Sequence, residues 1–145
     1  MSGIIGGTKA RGSGIINGDI NLIDKILQRP EIKDYGESVN AIGSTASSQA
    51  IDLSLGNVVT ATMAQSTTTF SITNPSASGK CSSFTLILTQ DSNGSRAVAW
   101  PASVKWPEDT APTISTGANK VDILSFLTVD AGTNWYGFTG GIDLR

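Results

Sequence analysis

Histidine is absent from the 145 residues, and cysteine occurs once, at Cys81. Without histidine the chain lacks the commonest general base near neutral pH and the commonest metal ligand. One cysteine excludes an intrachain disulfide and a zinc site built from several cysteines. We therefore predict a protein that is not an enzyme and that uses no cofactor or metal. Cys81 itself is expected to be a small buried apolar residue.

Charged side chains are also scarce, at 15% of the residues with a net charge of -2. Nucleic acids and anionic membranes attract clustered Lys and Arg, so neither is an expected partner. Apolar runs are far shorter than the ~20 residues of a membrane helix. Residues 1–8 lack the pattern of a secretory signal. These features predict a soluble product made in a cytoplasm.

The first segment, Met1 to Asn17, is rich in glycine and contains the pairs Ile4-Ile5 and Ile15-Ile16. Glycines around each pair disfavour a helix. Two interpretations remain open: a disordered tail, or an extended arm whose isoleucines bind pockets on a partner. Apolar pairs are unusual in segments that stay solvated.

A short helix is predicted at about 19–28, with Asp19 as its N-cap and Pro30 ending the pattern. Ile20, Ile23 and Leu27 fall on one face of this helix. Roughly ten residues are too few for a helix that is stable alone in water. The face is therefore expected to pack on the rest of the chain, on a sister subunit or on another protein.

From Gln49 onward the chain consists of short alternating runs separated by turn residues, which is typical of an all-β fold. Residues 1–48 are predicted to form the attachment arm, the short helix and a polar linker from Glu31 to Ser48. Residues 49–145 are predicted to form a compact antiparallel β-sandwich, jelly-roll-like, with seven or eight strands. Val121 to Val129 is apolar on both faces, which predicts a central strand, and Trp135 to Thr139 is expected to return beside it as a hairpin.

Trp100, Trp106 and Trp135 are expected mainly to fill the core. The alternative is a stacking platform for sugars, which requires aromatic rings that are exposed together. Trp106 and Tyr136 are the candidates for such a surface contact. Possible carboxylate pairs, such as Asp122 with Asp130, are interpreted as solvated acids rather than as catalytic groups.

Several segments resemble a small β-domain of virion structural proteins in tailed bacteriophages, including marine and cyanobacterial phages. The resemblance covers about Gln49 to Leu144, and it is most specific in the two tryptophan-containing segments. Its segments are Asp52–Asn57, Ser83–Leu86, Trp100–Pro107, Asn119–Phe126 and Gly132–Phe138. The resemblance implies a virion location and a structural role in a head decoration (cement) protein, a head fibre, or a tail fibre and its tip.

Three functions follow as hypotheses. In the first, the arm and the helix attach to the major capsid protein or another virion component, and the chain decorates or stabilises the shell as an oligomer, expected to be a homotrimer. In the second, the chain is a tail fibre or tail appendage whose β-domain binds a host-surface glycan. In the third and weakest, it is a polysaccharide depolymerase. The first is the main prediction, because the chain has no long shaft or repeat.

Overall fold

The computed structural model describes residue 26 and residues 28–144, and the chain divides into two units, Met1–Tyr35 and Gly36–Arg145. All seven predicted anchors of the arm and its helix lie outside the described residues: Ile4, Ile5, Ile15, Ile16, Ile20, Ile23 and Leu27. The predicted helix at 19–28 also lies outside them, apart from Ile26 and Gln28. The anchoring role of these residues stays a prediction.

Nine strands occur in the described part of the second unit, and they form two sheets. The six-stranded sheet has the order β1-β3-β5-β8-β9-β7, and the three-stranded sheet has the order β2-β4-β6. The strands are β1 (Val39–Ser44), β2 (Ser48–Asp52), β3 (Val58–Met63), β4 (Thr67–Thr73), β5 (Ser82–Gln90), β6 (Ala97–Ala99), β7 (Val104–Lys105), β8 (Val121–Thr128) and β9 (Trp135–Leu144). Short 3₁₀ turns occupy Leu53–Leu55 and Pro107–Asp109.

From β1 to β6 the chain alternates between the two sheets. Strands β1, β3 and β5 are parallel neighbours in one sheet, and β2, β4 and β6 are parallel neighbours in the other. Each strand of one sheet therefore serves as the crossover that parallel pairing in the other sheet requires. This winding is that of a short β-solenoid with three turns.

The predicted all-β class is confirmed, but the predicted antiparallel arrangement is wrong for most of the fold. Among the described strands only β5–β8 and β8–β9 are antiparallel, and the other five pairings are parallel. Alternation of apolar and polar residues reports which face of a strand is buried, and it is the same for either direction of the partner. A jelly roll is not confirmed.

The core lies between the two sheets and is built from the inward residues of both. Its buried apolar residues are Ile51, Val59, Ala61, Met63, Phe70, Phe84, Leu86, Leu88, Val104, Leu124, Phe126 and Trp135. The rings of Phe84 and Phe126 stack at 4.7 Å between centroids, and Trp135 meets Phe84 edge-on at 5.5 Å. Trp100 and Trp106 pack against Phe126 at 5.5 and 5.6 Å. The packing role predicted for the tryptophans is confirmed.

Strand β8 confirms the predicted central strand, since it lies between β5 and β9, and the hairpin that it forms with β9 is confirmed as well. Strand β1, in contrast, lies inside the segment predicted as a linker. Only Asn40 is buried in β1 and Ile42 is half-buried, because β1 is an edge strand with one neighbour. An edge strand whose one buried side chain is polar resembles a polar linker in sequence.

Two single residues also differ from expectation. Cys81 is exposed rather than buried, because it lies in the connection between β4 and β5, one residue before β5 begins. Asp122 is 1% exposed rather than solvated. Its carboxylate accepts hydrogen bonds from the backbone N–H groups of Ser115 (2.8 Å) and Asp143 (2.9 Å) and from the Ser115 hydroxyl (2.6 Å). These bonds compensate for the burial of the charge.

A turn at Asp91–Gly94 follows β5, and its side chains form hydrogen bonds within the fold. The Asp91 carboxylate accepts backbone N–H bonds from Asn93 and Gly94. It also pairs with Arg96 at 2.7 Å. The Arg96 guanidinium is the main cause that lowers the pKa of Asp91 to about 2.

Candidate functional site

The surface of interest is the outer face of the six-stranded sheet, formed by the side chains that point away from the core. Along most of β5 and β8 and over residues 135–138 of β9 the inward residues are buried, and the residues between them are half-buried or exposed. Two aromatic side chains on β9 stand out there, with Tyr136 at 46% and Phe138 at 47% exposure. Two residues apart on one strand, they share a face.

A concavity of about 310 Å³ lies on this face. We call it the outer-face concavity; it is lined by Glu37, Asn57, Ser83, Phe84, Thr85, Ser125, Phe126, Leu127 and Phe138. The side chains of Phe84 and Phe126 are buried in the core, so their main chain forms its floor. Its volume is at the lower end of the ~300–1,000 Å³ that is common for small-molecule sites.

The strand register explains why this part of the sheet is hollow. Thr85 on β5 is opposite Ser125 on β8, and Ser125 is opposite Phe138 on β9. Ser83 is opposite Leu127 in the adjacent row. Short hydroxyl side chains thus occupy the β5 and β8 positions of this row, while the larger Phe138 ring lies at its β9 end. Short side chains next to a large one leave a depression on an otherwise flat face.

Some polar side chains of the fold hold turns or loops, and those of the concavity do not. Asp52, Gln90, Asp91 and Asp130 all hold turns or loops through hydrogen bonds. The side chains of Glu37, Asn57, Ser83, Thr85 and Ser125 make no hydrogen bond to another described residue. Hydroxyl and amide groups both donate and accept hydrogen bonds, and a carboxylate accepts them. The concavity therefore presents polar groups that the fold does not use.

The two aromatic residues predicted as a surface contact do not lie on one face. Lys105 and Tyr136 are register partners and are both exposed, whereas Val104 and Trp135 are register partners and are both buried. Trp106 is half-buried on the inner side, and a Cβ at position 137 would lie 2.6 Å from its ring. Tyr136 remains exposed, but its exposed neighbour is Phe138 rather than Trp106.

The site residues predicted from the sequence do not include Phe138, Glu37 or the hydroxyl residues of the concavity. The signal for Phe138 was available, because Tyr136 and Phe138 alternate with Trp135 and Gly137 along one predicted strand. Ser83, Thr85 and Ser125 carried no such signal. Serine and threonine are ordinary residues for the solvent side of a strand, and only the register brings these three together.

Comparison with known families decides the class of the protein. Residues 44–135, more than half of the chain, match the family "Putative phage tail fibre C-terminal domain". The chain belongs to this tail-fibre family. It is therefore a structural protein of a phage virion, as the resemblance implied. No curated protein and no solved structure matches the chain.

The tail-fibre family fits the tail-appendage hypothesis better than the main prediction of a capsid decoration protein. Attachment to a capsid has no support from the match. The match includes β2 to β8 and so contains Asn57, Ser83, Thr85 and Ser125 of the concavity. Glu37 and Phe138, which stand at its sides, lie beyond the matched residues.

Among the described residues no helix is long and apolar enough to cross a membrane. Over the same residues no cluster of three or more acidic or cysteine side chains is placed to hold a metal ion. We take the outer-face concavity as the candidate site of this tail-fibre domain, because it combines an exposed aromatic ring with polar side chains that make no other hydrogen bond to a described residue.

Proposed function

We propose that this chain is a tail-fibre component whose β-domain binds a glycan of the host surface through the outer-face concavity. The observation that carries the proposal is the exposed Phe138 ring beside hydroxyl, amide and carboxylate groups that the fold leaves unused. A sugar ring presents C–H groups on one face and hydroxyls at its rim. An aromatic ring supplies rigid apolar contact for the first, and polar side chains bond to the second.

Phe138 and Tyr136 provide a matched pair of variants for this proposal. They are on the same strand and face with almost equal exposure, but only Phe138 lines the concavity. We expect Phe138→Ala to weaken glycan binding about tenfold, which corresponds to ~1.4 kcal/mol of lost aromatic contact. Tyr136→Ala is expected to leave the affinity within a factor of about two. Calorimetric titration with a saccharide selected on a glycan array measures both.

The variants Phe138→Ala and Tyr136→Ala also distinguish the outer-face concavity from the surface contact at Tyr136 that the sequence predicts. A larger loss for Tyr136→Ala than for Phe138→Ala would place the contact at the β7 side of the sheet and reject the concavity. Trp106→Ala is unsuitable as a binding test, because this ring packs on Phe126 and Trp100. Its removal would destabilise the domain before it reported on a ligand.

The proposed site binds its ligand without cleaving it. Most glycoside hydrolases use two carboxylates on either side of the scissile bond, ~5–10 Å apart. Glu37 is the one carboxylate among the residues that line the concavity. A second acid for this reaction is missing from that lining, so the depolymerase hypothesis gains no support there.

For residues 1–30 we keep the proposal that they attach the chain to the virion, with the isoleucines and Leu27 as anchors and a homotrimer as the assembly. Deleting Met1 to Pro30 is expected to leave a folded β-domain, because the buried core residues of the described part of the chain all lie within 51–135. The truncated protein should no longer join particles. Circular dichroism checks its folding, and blotting of purified virions checks incorporation.

Incorporation of the truncated protein at the normal level would reject the arm as the attachment segment. A full-length variant with Ile4, Ile5, Ile15 and Ile16 all changed to Ser is the matched control for chain length. If the apolar side chains carry the attachment, this variant should fail to join particles as the deletion does. Normal incorporation of the serine variant would show that the isoleucines are not the anchors.

A further inference from the structure

We infer that the outer-face concavity selects a neutral saccharide and rejects acidic ones, an inference that rests on the proposed glycan-binding function. The charge of the lining carries it. Glu37 is the single charged residue among the nine that line the concavity, and neither Lys nor Arg is one of them. The remaining polar groups are the hydroxyls of Ser83, Thr85 and Ser125 and the amide of Asn57.

An acidic saccharide carries carboxylate, sulfate or phosphate groups. Proteins bind such groups with Arg or Lys side chains or with clustered backbone N–H groups. In this sheet the backbone N–H groups under the concavity are engaged between strands, as in the pairing of β5 with β8. A ligand anion would instead face the carboxylate of Glu37, and like charges at short range repel each other.

The same side chains suit the hydroxyl groups of a neutral sugar. The Glu37 carboxylate can accept hydrogen bonds from two neighbouring hydroxyls, and bonds to a charged acceptor are stronger than bonds between neutral groups. Serine and threonine hydroxyls can donate or accept as the ligand requires. None of these side chains must break a bond to another described residue before it binds. These side chains can therefore bind a sugar ring with several adjacent hydroxyls without rearrangement of the hydrogen bonds among the described residues.

The test uses the full chain and two sets of probes. Neutral hexose oligosaccharides are titrated beside oligosaccharides of the same length that contain a uronic or sialic acid. Neutral probes are expected to bind, while acidic probes are expected to bind at least ten times more weakly. Glu37→Gln should weaken the binding of neutral probes about tenfold, which corresponds to the loss of one hydrogen bond to a charged group.

Charge reversal provides the sharper variant. Glu37→Lys is expected to raise the affinity for acidic probes at least tenfold, because it places a cation beside the hydroxyls. Glu108→Lys makes the same change in net charge at an exposed residue outside the concavity, and it should leave both affinities unchanged. Equal gains for the two lysine variants would mean that net charge and not the site controls binding, and would overturn the inference.

The outcomes separate this inference from the proposed function. Acidic probes that bind the unaltered chain as tightly as neutral ones, with a loss in Phe138→Ala, would overturn the charge selection and keep the glycan site. A loss of binding in Glu37→Gln together with weak acidic binding supports both. If no saccharide of either set binds, while the purified protein still blocks adsorption of phage to its host, both the glycan site and its selectivity are rejected.

Discussion

Leu86→Asp is expected to yield no folded protein. Leu86 is 0% exposed and lies in the middle of β5, between β3 and β8. An aspartate there would bury an unpaired carboxylate and remove a large apolar side chain from the core. Either change costs several kcal/mol, against a total stability of about 5–15 kcal/mol for a typical domain. The expected result is insoluble protein, or soluble protein without a cooperative thermal transition by circular dichroism.

The next residue on the strand is the matched control. Ile87 is half-buried on the outer face, opposite Thr60 and Ile123. Ile87→Asp introduces the same charge where water can solvate it, so it should fold with a loss of about 1 kcal/mol. If Leu86→Asp folded cooperatively, or if Ile87→Asp were the more damaging change, the assignment of inward and outward faces would be reversed.

Gly56→Ala is the second change with a large expected effect. Gly56 follows the 3₁₀ turn at Leu53–Leu55 and has φ 147°, a conformation that residues with a side chain rarely adopt. A Cβ at this position would lie 2.2 Å from the carbonyl oxygen of Ser38. The clash is with backbone, so β1 would have to move away from β3. We expect a loss of about 3 kcal/mol or more in the free energy of unfolding.

Two other glycines separate the causes of this loss. Gly43 has φ 73° but open space around its Cβ position. Gly43→Ala should therefore lower the free energy of unfolding only by the cost of the left-handed backbone, about 1–2 kcal/mol. Gly36 has neither constraint, so Gly36→Ala should change the stability by less than about 0.5 kcal/mol. Urea denaturation of the three variants measures the series. Equal stability of the Gly56 and Gly43 variants would refute the close approach of Ser38.

The sequence predicts the strands well because their signal is local. Alternation identifies Val59, Ala61 and Met63 as one buried face of β3 without knowledge of any other strand. The pairing of strands depends on partners distant in the chain, and alternation says nothing about direction. The solenoid winding of β1 to β6 therefore cannot be predicted from the alternation, which is equally compatible with the antiparallel sandwich that we predicted.

Asp122 shows the same limit for a single residue. Its position between Val121 and Ile123 is inward on β8, which alternation alone would assign to an apolar residue. The carboxylate is tolerated because the Ser115 hydroxyl and two backbone N–H groups surround it. These groups come from a loop and from β9, and local sequence does not reveal them.

The candidate site was predictable only in part. Tyr136 was identified as a surface aromatic residue, and the structure places it on the exposed face. The outer-face concavity was not identified, because its hydroxyl residues come from β5 and β8 and its two sides from positions 37 and 138. A binding site made of ordinary residues from five separate segments cannot be recognised from a local sequence pattern.

The central claim is that this protein belongs to the tail of the phage. Its most direct test is electron cryo-microscopy of intact virions labelled with an antibody fragment against the β-domain, with virions lacking the protein as the control. We predict labels on fibres or the fibre tips of the tail, and none on the capsid. Labels distributed over the icosahedral shell would contradict the account and restore the capsid decoration hypothesis.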